Sequence, residues 1–248
     1  MKLTHSTNIS AVKAGLTDLE KKQLPFATAL ALTRTAQLVK KGELAAMKQN
    51  LDRPTNFTLN SLFMKAATKG KPEARVWFKD FAPKGAPAGS YLQPQVQGGE
   101  RKHKRHEKAL IARGLMKSTQ YAVPAAGAKL DSYGNMKRAQ YVQILSQLRA
   151  FGEQGYQANA TGSKRSARKR KAGTYFAATI DGDQGIWRSV KSAFGEGVQP
   201  VLIFADRKPS YRVRFPFFKI AENITKANYG REFVRALDQA IKTQQKGL

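Results

Sequence analysis

Apolar residues recur at helical spacing near both ends of the chain and at strand spacing between them. Near the start, Ile9, Val12, Leu16 and Leu19 form one stripe, predicting a helix over 8–22 capped by Asn8 or Ser10. Leu24-Pro25 ends it, and Pro25 suits the first turn of a second helix over 25–50. That helix lines up Ala29, Leu32, Ala36, Val39 and Met47 on one face. A face so rich in Ala predicts a close-packed neighbour, with Gly42 as a weak point. After a turn at Asp52–Asn56, Thr58 is expected to cap a short helical segment holding Leu59, Leu62 and Phe63. Strands are expected at 64–68 and 74–80, joined at Lys69–Pro72. In the second, Ala74, Val76 and Phe78 alternate with Arg75, Trp77 and Lys79, the period of a half-buried strand. Residues 81–90 hold two prolines and two glycines and read as a loop.

The stretch Tyr91–Met116 passes through Pro94, turns at Gly98-Gly99 and enters a basic segment that reads as helix from Glu100. Eight of the seventeen residues from Glu100 to Met116 are Arg, Lys or His. The helical pattern docks Ala109, Ala112, Leu115 and Met116, with Leu110 and Ile111 flanking and Gly114 fraying the end. It leaves Arg101, Lys102, Lys104, Arg105 and Lys108 on the open side. Residues 121–132 read as extended chain and turns, and 136–151 as a helix with Tyr141, Ile144, Leu145 and Leu148 on one face. Residues 157–173 are polar and lack a large anchoring hydrophobe, so a disordered or long loop is expected. Strands are expected at 175–180, from Gly185, at 199–205 and at 211–215, with a turn at Asp181-Gly182-Asp183. A closing helical pattern runs through Ile220, Ile224, Phe233, Leu237 and Ile241, with a break at Asn228-Tyr229-Gly230. The sum is one α+β domain over 1–248: N-terminal helices at about 8–50 and a C-terminal helix packed on a mostly antiparallel sheet. A core sheet and basic helix occupy about 64–156, the basic loop 157–173, and further strands and the closing helix 174–248.

Charge changes the picture more than length does. The 248 residues carry 44 Lys+Arg against 17 Asp+Glu, a net charge of +27. From Arg101 to Lys171 there are 17 Lys/Arg and 3 Asp/Glu, so about half of that charge sits in under a third of the chain. Such an excess implies a polyanionic neighbour or acidic surfaces in an assembly. Six of the eight residues from 164 to 171 are basic: Lys164, Arg165, Arg168, Lys169, Arg170 and Lys171. With the residues from Arg101 to Lys108 they are the candidate contacts to DNA or to an acidic partner. A plain solvated loop is the alternative for the second run. There is no cysteine, which removes disulfides, thiolate metal sites and cysteine nucleophiles. No apolar run approaches the ~20 residues that span a bilayer, and the first ten residues lack the apolar core of a signal peptide.

Catalytic and cofactor chemistry finds little support. His103 and His106, three apart amid cations, lack a third ligand and read as solvated members of the basic face, so no metal is expected. Gly162-Ser163-Lys164 lacks the spacing of a phosphate loop, and no cofactor is expected. Asp181-Gly182-Asp183 starts like a calcium loop, but Ser192 stands where the glutamate should be, so a hairpin turn is preferred. No G-x-S-x-G occurs, and Asp181, Asp183 and Glu196 are too few for a magnesium nuclease. The chain reads as no enzyme. Trp77, Tyr91 and Tyr121 are not interleaved with the basic run, and Trp77 and Trp187 read as core or interface aromatics. Phosphate contact without base reading is the expectation.

The order of several short motifs resembles the phage minor tail protein Z family, with its neck and tail-completion relatives. The motifs are LPFATALALTRTAQLVKKGE (24–43), PTNFTLNSLFMKAATKGKPEARVWF (54–78) and YLQPQVQGGERKHKRHEKAL (91–110). GIWR (185–188), PVLIF (200–204) and YRVRFPFFKIA from Tyr211 follow. The segment from about Ala125 to Gly173 departs from the smaller members. The resemblance implies a virion structural protein of the head–tail junction, assembled in the host cytoplasm. It implies a homo-oligomeric ring of about six or twelve copies. Its neighbours would be portal, adaptor or tail-terminator proteins, with phage DNA in the channel, no sequence specificity and no membrane. The alternative is a non-sequence-specific nucleic-acid-binding protein, a packaging accessory or RNA binder.

Overall fold

The computed structural model of the protein describes residues 21, 23–82, 85–150, 164, 174–192 and 195–245. The helix expected over 8–22 lies outside them except for Lys21. Helices and antiparallel sheets make an α+β fold, as the hydrophobic pattern requires. Where the sequence pattern predicts one domain, the chain folds into two compact units, 1–97 with 213–248, and 98–212.

The first unit is built on two long helices, α1 (Leu24–Asn50) and α6 (Phe217–Gln245). They run antiparallel: Ala27 and Ala31 at the start of α1 pack with Ala236 near the end of α6. Met47 near the end of α1 shares a cluster with Phe217 at the start of α6. Ala27, Ala31 and Ala236 have no exposed surface: the alanines packed on α6 here are Ala27 and Ala31, outside the expected face, of which Ala29, Ala36, Val39 and Met47 are also buried and Leu32 only partly so. Gly42 belongs to the same seam, since a methyl group there would run into the Ile224 side chain. Arg34 Nη2 donates to Gln239 Oε1 across it at 2.7 Å. Glu43 is fully buried, and neither carboxylate oxygen has a hydrogen-bond partner. Burial pushes its pKa up to about 8, so it is a neutral acid at pH 7.

Helix α2 (Asn56–Leu59) is capped by Thr55, whose hydroxyl accepts from Thr58 N–H at 3.2 Å. Thr58 therefore sits inside the helix and bonds Tyr91 OH at 3.0 Å, correcting its expected capping role. Leu62 and Phe63 belong not to that helix but to strand β1 (Leu62–Lys65), which pairs antiparallel with β2 (Arg75–Phe78). Their inner face presses Leu62, Val76 and Phe78 onto Met47, Leu92, Phe215 and Phe217. The loop expected over 81–90 gives way at Ala88 to α3 (Ala88–Gln97). Pro94 lies inside α3 and forfeits a helical hydrogen bond, while Ala88, Leu92 and Pro94 are buried. The strand expected over 211–215 stops at Tyr211. The Arg214 and Phe215 N–H groups both donate to Gln95 O, and Phe215 turns fully into the core. Helix α6 does not break at Asn228–Gly230: Asn228 Nδ2 donates to Ile224 O at 2.7 Å, and Tyr229 and Phe233 pack on the alanine seam.

The second unit holds a four-stranded antiparallel sheet in the order β4-β7-β6-β5. The strands are β4 (Tyr121–Pro124), β5 (Tyr175–Ile180), β6 (Asp183–Ser192) and β7 (Gly195–Ala205). Asp181 and Gly182 both have positive φ, the two-residue turn that joins β5 to β6. Against the sheet lie α4 (Arg105–Ala112) and α5 (Arg138–Gln147). Leu110, Ile144, Leu145, Ile186, Val201, Leu202 and Phe204 form the core between them. Both helices end in a left-handed residue with the paired bonds of a Schellman motif. In α4, Gly114 (φ 73°) N–H reaches Ile111 O and Leu115 N–H reaches Leu110 O. Gly114 thus closes the helix rather than fraying it. In α5, Arg149 (φ 52°) plays the same part.

Candidate nucleic-acid interface

The basic stretch is not one helix from Glu100. Gly98 (φ 74°) and Gly99 (φ 91°) turn the chain through a conformation that side chains disfavour. Gly99–Glu100, strand β3, then pairs with Ser210–Tyr211, strand β8. Helix starts only at Arg105, because Lys104 is still extended (ψ 163°) and serves as N-cap residue.

Glu107 fixes this arrangement. It is fully buried, and Arg101 grips it with Nη1 to Oε2 at 2.7 Å and Nη2 to Oε1 at 2.6 Å. Its remaining acceptor capacity takes Lys104 N–H at 2.5 Å, the return half of a capping box, and Ala122 N–H of β4 at 2.9 Å. Burial pushes the Glu107 pKa up, but Arg101 and the two backbone N–H groups outweigh it, and the net shift is downward. Glu107 therefore ties strand, cap and sheet together as a carboxylate.

Arg101 is spent on this grip. Its side chain is 12 % exposed, and its guanidinium also lies 4.8 Å from the Tyr121 ring centre. Its expected place on the open face is corrected: it holds the platform and does not face a ligand. The histidines are corrected too. His103 stacks on Tyr121 with ring centres 4.4 Å apart and donates from Nε2 to Gln120 O at 2.9 Å. His106 stacks on Tyr141 at 4.2 Å. Burial above all lowers its pKa to about 4, so it is neutral at pH 7. Among the described residues, no cluster of three or more His, Cys, Asp or Glu is placed to hold a metal ion.

Lys102, Lys104, Arg105 and Lys108 are exposed, as expected, and Lys164 is exposed as well. Lys104 is nevertheless crowded: desolvation, then the charge of Arg101, lowers its pKa. Arg165, Arg168, Lys169, Arg170 and Lys171 lie outside the described residues. Ala112 points to solvent and Leu110 takes the docking position expected of it, while Ala109, Leu115 and Met116 pack on the core. Between Arg101 and Lys117 the one carboxylate is Glu107, and it faces inward. The exposed cations Lys102, Arg105, Lys108, Arg113 and Lys117 accordingly make no ion pair among the described residues.

Other cations joined to this site were missed in the sequence. The pairing of β3 with β8 brings the loop after β7 alongside, with Arg207, Lys208 and Arg212 exposed. Lys208 bonds Glu100 at 3.2 Å. Beneath, Gln120 Nε2 donates to Gln184 Oε1 and Asp206 Oδ1, each at 3.0 Å. The two segments are about a hundred residues apart, and a two-residue strand leaves no periodicity to read.

Comparisons with protein-family models, with curated proteins and with solved structures return no match. Among the described residues, no helix is long and apolar enough to cross a membrane.

Proposed function

We propose that the protein is a structural component of a bacteriophage head–tail junction, acting in a ring that surrounds the DNA conduit. The observation that carries the DNA contact is the platform locked by Glu107. It holds Lys102 and Lys104 outward just before a short helix, and Arg105 and Lys108 outward on it, with Glu107, the one carboxylate between Arg101 and Lys117, turned inward. Fixed cations without base-reading side chains suit phosphates and not sequence. The motif order from Leu24 to the closing helix supports the setting: a tail-completion or connector role, with portal, adaptor or tail-terminator proteins as neighbours. The net charge of +27 suits a lumen filled with DNA.

A phage carrying an amber mutation in this chain tests the setting. Heads and tails that accumulate unjoined are the expected result, and joined infectious particles would remove the proposal. A second reading, a free nucleic-acid-binding accessory, uses the same exposed cations. It demands tight binding by the isolated chain with a steep salt dependence and no stoichiometric recovery in purified virions.

A further inference from the structure

We infer that the first unit carries a separate binding face for single-stranded nucleic acid, on the outer side of the β1–β2 ribbon. The register pairs Leu62 with Phe78 and Met64 with Val76 on the inner side, and Phe63 with Trp77 and Lys65 with Arg75 on the outer. Lys79, whose N–H donates to Ser61 O at 2.8 Å, extends the outer row. Along β2 this face reads Arg75, Trp77, Lys79, and along β1 Phe63, Lys65: aromatic and basic side chains in strict alternation. The cations of α4 have no such interleaved aromatics.

Three physical points favour this ligand. Phe63 is 47 % exposed and meets Trp77 edge-to-face with centres 5.0 Å apart, so an open aromatic pair stands in water. Lys65 and Arg75 stand directly opposite each other, so two basic side chains meet across the ribbon on this face. Glu73 neutralises Arg75 and Lys71 from the margin, and Lys65, Lys69 and Lys79 remain exposed. An aromatic surface ringed by cations repels a second copy of a chain with net charge +27 and suits an anion with flat apolar groups. Bases stacking on Phe63 and Trp77 while phosphates meet Lys65 and Lys79 satisfy both demands. A duplex, whose bases are already stacked inside, satisfies only the second.

The tryptophans supply the assay. Trp187 is 6 % exposed and its indole N–H is bonded to Ala178 O at 3.1 Å, while Trp77 is half-buried on the outer face. Quenching of fluorescence in the 248-residue chain, which has two tryptophans, therefore reports Trp77. Short oligothymidylate should quench it, and Trp77→Ala or Phe63→Ala should weaken binding, followed by a labelled oligomer, by about 5- to 100-fold. Trp77→Phe should retain most of the affinity. Lys65→Gln with Lys79→Gln should lower the salt slope without unfolding the ribbon, which keeps the test open if an alanine variant misfolds. Changing Lys102, Arg105 and Lys108 to Gln should leave the quenching intact, so failure of the head–tail reading and failure of this one are separable. Polyphosphate of equal charge binding as tightly and indifferently to Trp77→Ala, or polyglutamate displacing the oligonucleotide, would overturn the assignment.

Discussion

Arg101 and Glu107 form a two-bond ion pair six residues apart, with the carboxylate fully buried and the guanidinium nearly so. The geometry joins the end of β3 to the first turn of α4, so the most basic part of the described chain is organised by an acid.

Removing one partner leaves the other charge buried. Glu107→Ala or Arg101→Ala should destabilise the second unit by about 3–5 kcal/mol, read as a fall in the denaturant midpoint at constant slope. Arg101→Ala that preserved stability and selectively weakened DNA binding would return Arg101 to the ligand face.

The exposed cations behave differently. Each of Lys102, Arg105 and Lys108 changed to Gln should lower the log–log salt slope for duplex DNA by about 0.9 for each phosphate that is no longer neutralised. Thermal stability should hold, because none of the three is bonded to the core. Filter binding over a salt series measures it.

The two units should titrate in opposite directions. Glu43 has its pKa raised from 4.5 to about 8, so the folded state holds a proton that the unfolded state releases. Its contribution is intact below 4.5 and is lost as pH rises to about 8, at about 1.4 kcal/mol per pH unit. His106 has its pKa lowered from 6.5 to about 4, so its contribution is intact above 6.5 and is lost as pH falls toward 4. Glu107, held below its ordinary range, adds to the acid loss. Hydrogen exchange resolved by unit should show α1 and α6 loosening toward alkaline pH, and α4 and β4 toward acid. Glu43→Gln should flatten the first trend and raise stability at pH 8, and an unchanged profile would contradict the buried neutral acid.

The alanine seam tolerates little. Ala31→Leu places a branched side chain where Ala27, Ala31 and Ala236 have no exposed surface, and overpacking should cost about 1–3 kcal/mol. Gln37→Leu, on an exposed position of α1, is the matched control. Equal midpoints for the two would mean the helices are not closely apposed.

Periodic features are legible in the chain itself. The burial of Ala29, Ala36, Val39 and Met47 on α1, the alternation in β2 and the Asp181-Gly182 turn each repeat or punctuate locally, and each appears where expected. What escapes is decided at a distance. Thr55 and not Thr58 caps α2, because capping depends on which hydroxyl the backbone geometry presents. Glu107 reads in sequence as one acid among cations, and only the approach of β4 makes it a buried junction. The outer ribbon face needs the register of β1 against β2, since Phe63 and Trp77 are fourteen positions apart and each alone is an ordinary aromatic.

The carbonyl of Gln95 receives both Arg214 and Phe215 N–H, and just beyond it in the chain β3 pairs with β8. The chain therefore leaves the first unit and re-enters it at neighbouring points. Topologically, residues 98–212 are an insertion between α3 and α6. Such a segment can be gained, lost or exchanged between lineages by joining two adjacent ends, without rethreading the helices that flank it. The two faces proposed to bind polyanions, one in each unit, can then have separate histories.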